Sequence, residues 1–131
     1  MGWAWPWEID SLGVSPALQL CYARALAELR VPPSTLIVDG SNHVGRYGGK
    51  QIVEPKADVN HIEVSAASMI AKHLRDTMMV DYGKQFPEYG FARNFGYGTH
   101  EHEEGIKTHG ICSIHRLLYV RKVLSRLGRS P

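Results

Sequence analysis

Two carboxylates, and the polar residues downstream of them, are the part of this sequence best equipped for chemistry. Asp39 closes the apolar segment Thr35-Leu36-Ile37-Val38, and Asp58 follows in Pro55-Lys56-Ala57-Asp58. After them come Ser65 and Ser68, Lys72, Arg75-Asp76, Gly96-Tyr97-Gly98-Thr99 and His115-Arg116. Carboxylate oxygens are the hard donors that Mg²⁺ and Mn²⁺ prefer. Basic, hydroxyl and aromatic side chains suit contacts to a nucleic-acid backbone. The combination suggests a metal-dependent site for such a backbone. Lys72 and Arg75 are candidates for phosphate contact or for supporting the carboxylates, and Ser65 and Ser68 for contacts to backbone oxygens.

Each of these residues also has a plainer reading. Asp39 ends a strand, the edge at which α/β proteins build their sites. Asp58 could equally be a helix cap or a loop carboxylate, and Tyr97 a packed loop aromatic. The histidines are a weaker signal. His100 and His102 sit at alternate positions, which point apart on a helix and make a poor chelate. A capped, solvated first turn with Glu101, Glu103 and Glu104 at the favourable end of the helix dipole explains them better. His109 and His115 are read as structural hydrogen-bonding residues. Gly48-Gly49-Lys50 lacks the upstream glycine and the following hydroxyl of a phosphate loop and reads as a flexible turn.

These residues need elements to hold them. Ser15 as N-cap with Pro16 at the first helical position predicts a helix over 16–30, with Leu18, Cys21, Tyr22, Ala25, Leu26 and Leu29 at helical spacing. Val31-Pro32-Pro33 stops it. Leu36-Ile37-Val38 is a continuous apolar run of the kind covered on both faces in a parallel sheet. Residues 40–49 form a polar, glycine-rich loop, and Gln51-Ile52-Val53-Glu54 a second short strand. Residues 64–82 read as a long helix with Ala67, Ile70, Ala71, Leu74 and Met78 on one face. Phe86-Pro87-Glu88-Tyr89-Gly90 breaks it. Thr99 caps a short helix through 108, and a last helix covers 115–127. No repeat, low-complexity tract or linker appears, so one domain is expected.

The bulk composition is that of an ordinary soluble globular chain: 131 residues, 44% apolar, 21% charged, net charge +2. The positive charge gathers late. Arg116, Arg121, Lys122, Arg126 and Arg129 follow Ile114 with no acid among them, which suits an anionic partner or a solvated helix end. Cys21 and Cys112 stand alone, which excludes a zinc knuckle and fits reduced, buried thiols in a cytoplasmic protein. No apolar run approaches membrane-spanning length, and no membrane partner is expected. Trp3, Trp5 and Trp7 mark either a core-packing segment or an exposed contact patch.

The motifs, taken in order, resemble the second half of ribonuclease HII. The resemblance runs from about Glu8 to Val123. It is carried by Glu8-Ile9-Asp10 before a helix, Val38-Asp39-Gly40-x-Asn42, Lys56-Ala57-Asp58, and Ser65-Ala66-Ala67-Ser68-Met69-Ile70-Ala71-Lys72 with Arg75-Asp76. Phe86-Pro87-x-Tyr89-Gly90-Phe91, Gly96-Tyr97-Gly98-Thr99-x-x-His102, His109-Gly110 and His115-Arg116 complete it. The resemblance implies a truncated ribonuclease H-like α/β fold, with a short parallel sheet remnant and several helices. It also implies two-metal hydrolysis of the RNA strand of RNA–DNA hybrids with Mg²⁺ or Mn²⁺. Asp39 and Asp58 match two of the family's four metal-binding carboxylates, and Tyr97 matches the tyrosine that packs on the sugar at the RNA–DNA junction. The equivalents of Glu8 and Asp10 only introduce a helix, which makes them poor candidates for replacement ligands.

Two departures stand out. The family's first strand carries Asp-Glu-Ala-Gly-Arg-Gly, which supplies two carboxylates and a loop that reads the 2′-hydroxyl. Neither an Asp-Glu pair nor Gly-Arg-Gly occurs in this sequence. Phe95 stands where the family has Lys before Gly-Tyr-Gly, and Ala57 where it has Gly. The leading expectation is a ribonuclease HII-like nuclease that is incomplete or inactive alone. The alternative is a non-catalytic module that binds nucleic acid or protein. The resemblance also leaves the Thr35–Asp39 strand with an unpaired edge, so a homodimer or a partner chain supplying the missing strand is expected, with that strand or the tryptophan segment at the interface.

Overall fold

The computed structural model describes residues 1–126. The chain divides into two compact units, Met1–Ile70 and the residues from Ala71 onward.

In the first unit, helices α1 (Pro6–Leu12) and α2 (Val14–Ala27) pack on each other. Gly13 joins them with φ +84, a conformation that closes one helix and lets the next begin at once. Its carbonyl accepts from Ala17 N, so α2 starts at Val14, ahead of the Ser15 cap expected from sequence, and it ends at Ala27 rather than at 30. α1 itself was not expected. It exists because Glu8, in its first turn, reaches back to accept from Trp5 N at 2.9 Å. The same carboxylate takes both terminal nitrogens of Arg24 on α2, at 2.8 and 2.7 Å. Arg24 also donates to Trp3 O at 2.6 Å, which ties the N-terminal segment to α2. Hydrogen bonds from Arg24 above all, then from Trp5 N, hold the Glu8 carboxyl down at about 2. The rings of Trp3, Trp5 and Trp7 remain exposed.

Strands β1 (Thr35–Asp39) and β2 (Lys50–Glu54) form a two-stranded parallel sheet, with Thr35 opposite Lys50 and Asp39 opposite Glu54. Parallel neighbours usually need a long crossover. Here residues 40–49 return the chain directly, and side chains shape the return. Gln51 accepts from Val44 N and donates to Val44 O, while Gln19 on α2 donates to His43 O and accepts from Gly45 N. Val44, within this loop, is buried, and Ala17, Val38 and Ala57 are buried in the same unit.

α3 (Ala57–Asn60) is one short turn, and α4 (Ile62–Gln85) is the long helix expected over 64–82. No residue of α4 is fully buried, so the apolar face read from Ala67, Ile70, Ala71, Leu74 and Met78 is largely solvent-facing.

In the second unit, a 3₁₀ turn (Pro87–Tyr89) ends α4 where the sequence broke. α5 (Phe91–Asn94), α6 (His100–His109) and α7 (Leu117–Arg126) follow. Thr99 caps α6 as expected, its hydroxyl accepting from His102 N. α7 begins at Leu117 rather than 115, and the end expected at 127 lies outside the described residues, as does Arg129 of the basic segment. Tyr89, Phe91, Ile106 and Val120 form the core of this unit. Among the described residues, no helix is long and apolar enough to cross a membrane.

Candidate metal site and nucleic-acid interface

The carboxylate pair belongs to the first unit. Asp39 is the last residue of β1, and its Oδ1 accepts a hydrogen bond from Ala57 N at 3.1 Å. It therefore acts as a cap for α3, whose second residue is Asp58. Lys56 makes this possible by taking a left-handed turn, φ 61, just before the helix. The far end of α3 is fastened by Glu54 of β2, which accepts from Asn60 Nδ2 at 3.0 Å and pairs with His61 Nε2 at 3.1 Å. The ends of both strands thus grip the turn that carries Asp58. Ala57 is 0% exposed, and its methyl group fits there because the left-handed position falls on Lys56. The Ala in place of the family's Gly is accommodated without backbone strain.

Asp39 and Asp58 are both exposed and retain oxygens free of the α3 cap. That donor set suits a hard cation. Among the described residues no group of three or more His, Cys, Asp or Glu is arranged to hold a metal ion. Glu8 is not available as a third, because Arg24 and Trp5 N occupy its oxygens. Ser65 and Ser68 lie one turn apart on α4, Ser65 half-buried and Ser68 exposed.

The second unit gathers Lys72, Arg75, Phe95 and Tyr97. The Arg75 guanidinium lies over the Tyr97 ring, 5.1 Å from its centroid, and Arg75 Nη2 donates to Phe95 O at 2.9 Å. Lys72 Nζ lies 5.8 Å from the Phe95 centroid and is paired with Asp76. Tyr97 itself is 59% exposed. A cation stacked on an exposed aromatic gives a surface with charge for phosphate and a flat face for a sugar or base.

The loop that presents Tyr97 is fixed from below by Asn94, which sequence reasoning missed. Asn94 is 5% exposed; its Nδ2 donates to Tyr89 O at 2.7 Å and its Oδ1 accepts from Gly96 N at 2.8 Å. Its carbonyl accepts from Tyr97 N at 2.8 Å. Phe95 is held at φ 48, which costs a side-chain-bearing residue about 1–2 kcal/mol. Strain of that kind persists only where surrounding bonds over-determine the backbone, as Asn94 and Arg75 do here. Asn-Phe-Gly before Tyr97 was the available signal, since Asn and Gly are the residues of tight turns.

The ribonuclease HII family model matches residues 7–122. The chain belongs to the ribonuclease HII family. A ribonuclease HII of Endomicrobium trichonymphae is 39% identical over 111 residues, which are 85% of this chain and 53% of that protein. That of Vibrio campbellii is 40% identical over 121 residues, 91% of this chain and 57% of that protein. That of Pelodictyon phaeoclathratiforme is 36% identical over 126 residues, 96% of this chain and 60% of that protein. The chain therefore spans about half to three-fifths of the length of these relatives. Its α/β architecture, with a two-stranded parallel sheet and surrounding helices, is a shortened ribonuclease H-like fold.

Proposed function

We propose that this chain supplies part of a metal-dependent nuclease site acting on the RNA strand of RNA–DNA hybrids. The observation that carries the reading is the Asp39–Ala57 hydrogen bond, which fixes the strand-end carboxylate to the helical turn bearing Asp58. Asp39 and Asp58 would hold Mg²⁺ or Mn²⁺. When bound, such ions activate water and stabilise the leaving oxygen of a phosphodiester. Arg75 and Lys72 contribute charge toward phosphates, Tyr97 a face for the sugar, and Ser65 and Ser68 hydroxyls toward backbone oxygens.

Two carboxylates leave two dications under-neutralised, so the site needs further carboxylates from outside these residues. A second copy of this chain or a partner chain, adding a strand beside β1, would supply the missing sheet neighbour. Two unpaired cysteines accord with work in the cytoplasm. A second reading, a nucleic-acid-binding module without catalysis, is favoured by one feature: the Arg75–Tyr97 surface is built without either carboxylate.

The test uses a duplex carrying one embedded ribonucleotide, with Mg²⁺ or Mn²⁺. The chain alone is expected to bind it in a salt-sensitive manner and cleave it little or not at all. Adding a polypeptide that carries the Asp-Glu-Ala-Gly-Arg-Gly strand should restore cleavage, and Asp39→Asn or Asp58→Asn should abolish it. Restored cleavage that survives both substitutions would overturn the site assignment. Binding that is never accompanied by cleavage would favour the second reading.

A further inference from the structure

The second unit contains two buried imidazoles in contact, His102 on α6 at 2% exposure and His115 just before α7 at 8%. Their Nε2 atoms are 3.0 Å apart. Both outer ends of the pair are anchored on backbone groups whose roles are unambiguous. Cys112 N, which can only donate, is 3.0 Å from His115 Nδ1, with Cys112 Sγ 3.1 Å from the same atom. Tyr97 O, which can only accept, is 3.0 Å from His102 Nδ1.

These anchors leave one arrangement of protons. His115 Nδ1 accepts, so the neutral ring carries its proton on Nε2. His102 Nδ1 donates, so the neutral ring accepts at Nε2. The chain of bonds then runs one way, from Cys112 N–H through His115 and His102 to the Tyr97 carbonyl. A proton added to either ring would set two N–H groups against each other.

We infer that His102 and His115 are positioning residues that hold the Tyr97 loop through this one-way pair of neutral imidazoles. The carbonyl at the end of the chain belongs to the residue whose ring Arg75 covers, so the pair fixes the backbone beneath the candidate nucleic-acid contact. That link to nucleic acid rests on the function proposed above; the direction of the hydrogen bonds does not.

Aromatic side chains pack against both rings. Tyr89 from the 3₁₀ turn lies edge-on to His115 at 4.7 Å between centroids, Phe91 from α5 lies 5.2 Å from His102, and Tyr119 from α7 stacks on His102 at 5.9 Å. Besides the Tyr89 and Tyr119 phenols, the Cys112 thiol lies against the pair, and burial raises its pKa. The ring nitrogens meet backbone groups, the Cys112 thiol and each other. Burial first, and then the neighbouring His102, lower the His115 pKa to about 4.

Nitrogen-15 correlation spectra of the imidazoles at neutral pH test the polarity without any substitution. The expected result is His115 protonated on Nε2 and His102 on Nδ1; the same tautomer on both, or a charged ring, overturns the inference. Two substitutions then test the positioning. His102→Asn keeps a donor near the Nδ1 position, whereas His102→Gln moves it to the Nε2 end. Amide exchange at Gly98 and Thr99 should rise at least several-fold more in His102→Gln than in His102→Asn. Equal rises in both variants, with both folded by circular dichroism, overturn it. Affinity for a hybrid duplex separates the two readings. If His102→Gln loosens the loop but neither it nor Tyr97→Ala weakens binding, the positioning role stands and the nucleic-acid role of Tyr97 fails.

Discussion

Acidification between pH 6.5 and 4.5 should destabilise the second unit through one residue, His115. In the unfolded chain this imidazole takes up its proton near pH 6.5, whereas in the fold it resists until about pH 4. Between those values the unfolded state binds more protons, so stability falls as pH falls. The contribution is complete above pH 6.5 and gone below about pH 4. At about 1.4 kcal/mol per pKa unit, a displacement of this size is worth about 3–4 kcal/mol. His115 is only 8% exposed, so solvent does little to screen it. Glu8, held at about 2 against an ordinary 4.5, loses its contribution in a lower window and does not interfere. Urea denaturation followed by circular dichroism at pH 7.5, 6 and 5 measures the effect. With a slope of about 2 kcal/mol per molar, the midpoint should drop by about 1 M across the range. His115→Asn can still accept from Cys112 N but cannot titrate there, and should flatten the dependence. A midpoint indifferent to pH in this window, or a parallel fall in wild type and His115→Asn, would refute the assignment.

Asn94→Ala strands two backbone groups in a site 5% exposed, Tyr89 O and Gly96 N–H, and should cost about 1–3 kcal/mol for each by thermal or urea unfolding. Tyr97→Ala, at an exposed ring, should leave unfolding unchanged while weakening hybrid-duplex binding by about 1–3 kcal/mol in a titration at fixed salt. Gly2→Ala would put a methyl carbon 1.8 Å from Cys21 O, so the tryptophan segment should lift from α2 and the indole emission should change, while β1 and β2 stay protected from amide exchange.

The strands, the long helix and the Thr99 cap were legible because their signals are local: a β-branched apolar run, a sustained helical period, a hydroxyl at an N-terminus. The α1–α2 boundary was misplaced because two sequence signals compete there. Ser15-Pro16 reads as a helix start, but Gly13 supplies a positive φ that starts α2 earlier. α1 escaped notice because Trp5 is not a usual N-cap residue: the turn is closed by Glu8 reaching back to Trp5 N, and Arg24, far along the chain, holds that carboxylate. Asp39 and Asp58 stood out by type and order, but the bond from Ala57 N to Asp39 Oδ1, beside Asp58, is one that no side-chain pattern records. His115 was read as a structural residue, but His102 was placed in a solvated first turn of α6, and it is in fact 2% exposed. What they do depends on facing each other across a turn, which is a tertiary fact.

The direct return from β1 to β2 has a kinetic meaning. A parallel pair bridged by a helix closes a long loop, and forming such a ladder is slow because chain entropy is lost before any contact rewards it. Here the ladder that begins with Thr35 opposite Lys50 is separated only by the strand itself and residues 40–49, and Gln51 clamps the return from within the second strand. α3 follows immediately, docked on the ends of both strands. The segment from Thr35 to His61 is thus a parallel β unit with nearly hairpin-like sequence locality. The bond that sets the turn bearing Asp58 against Asp39 spans only 18 residues of chain.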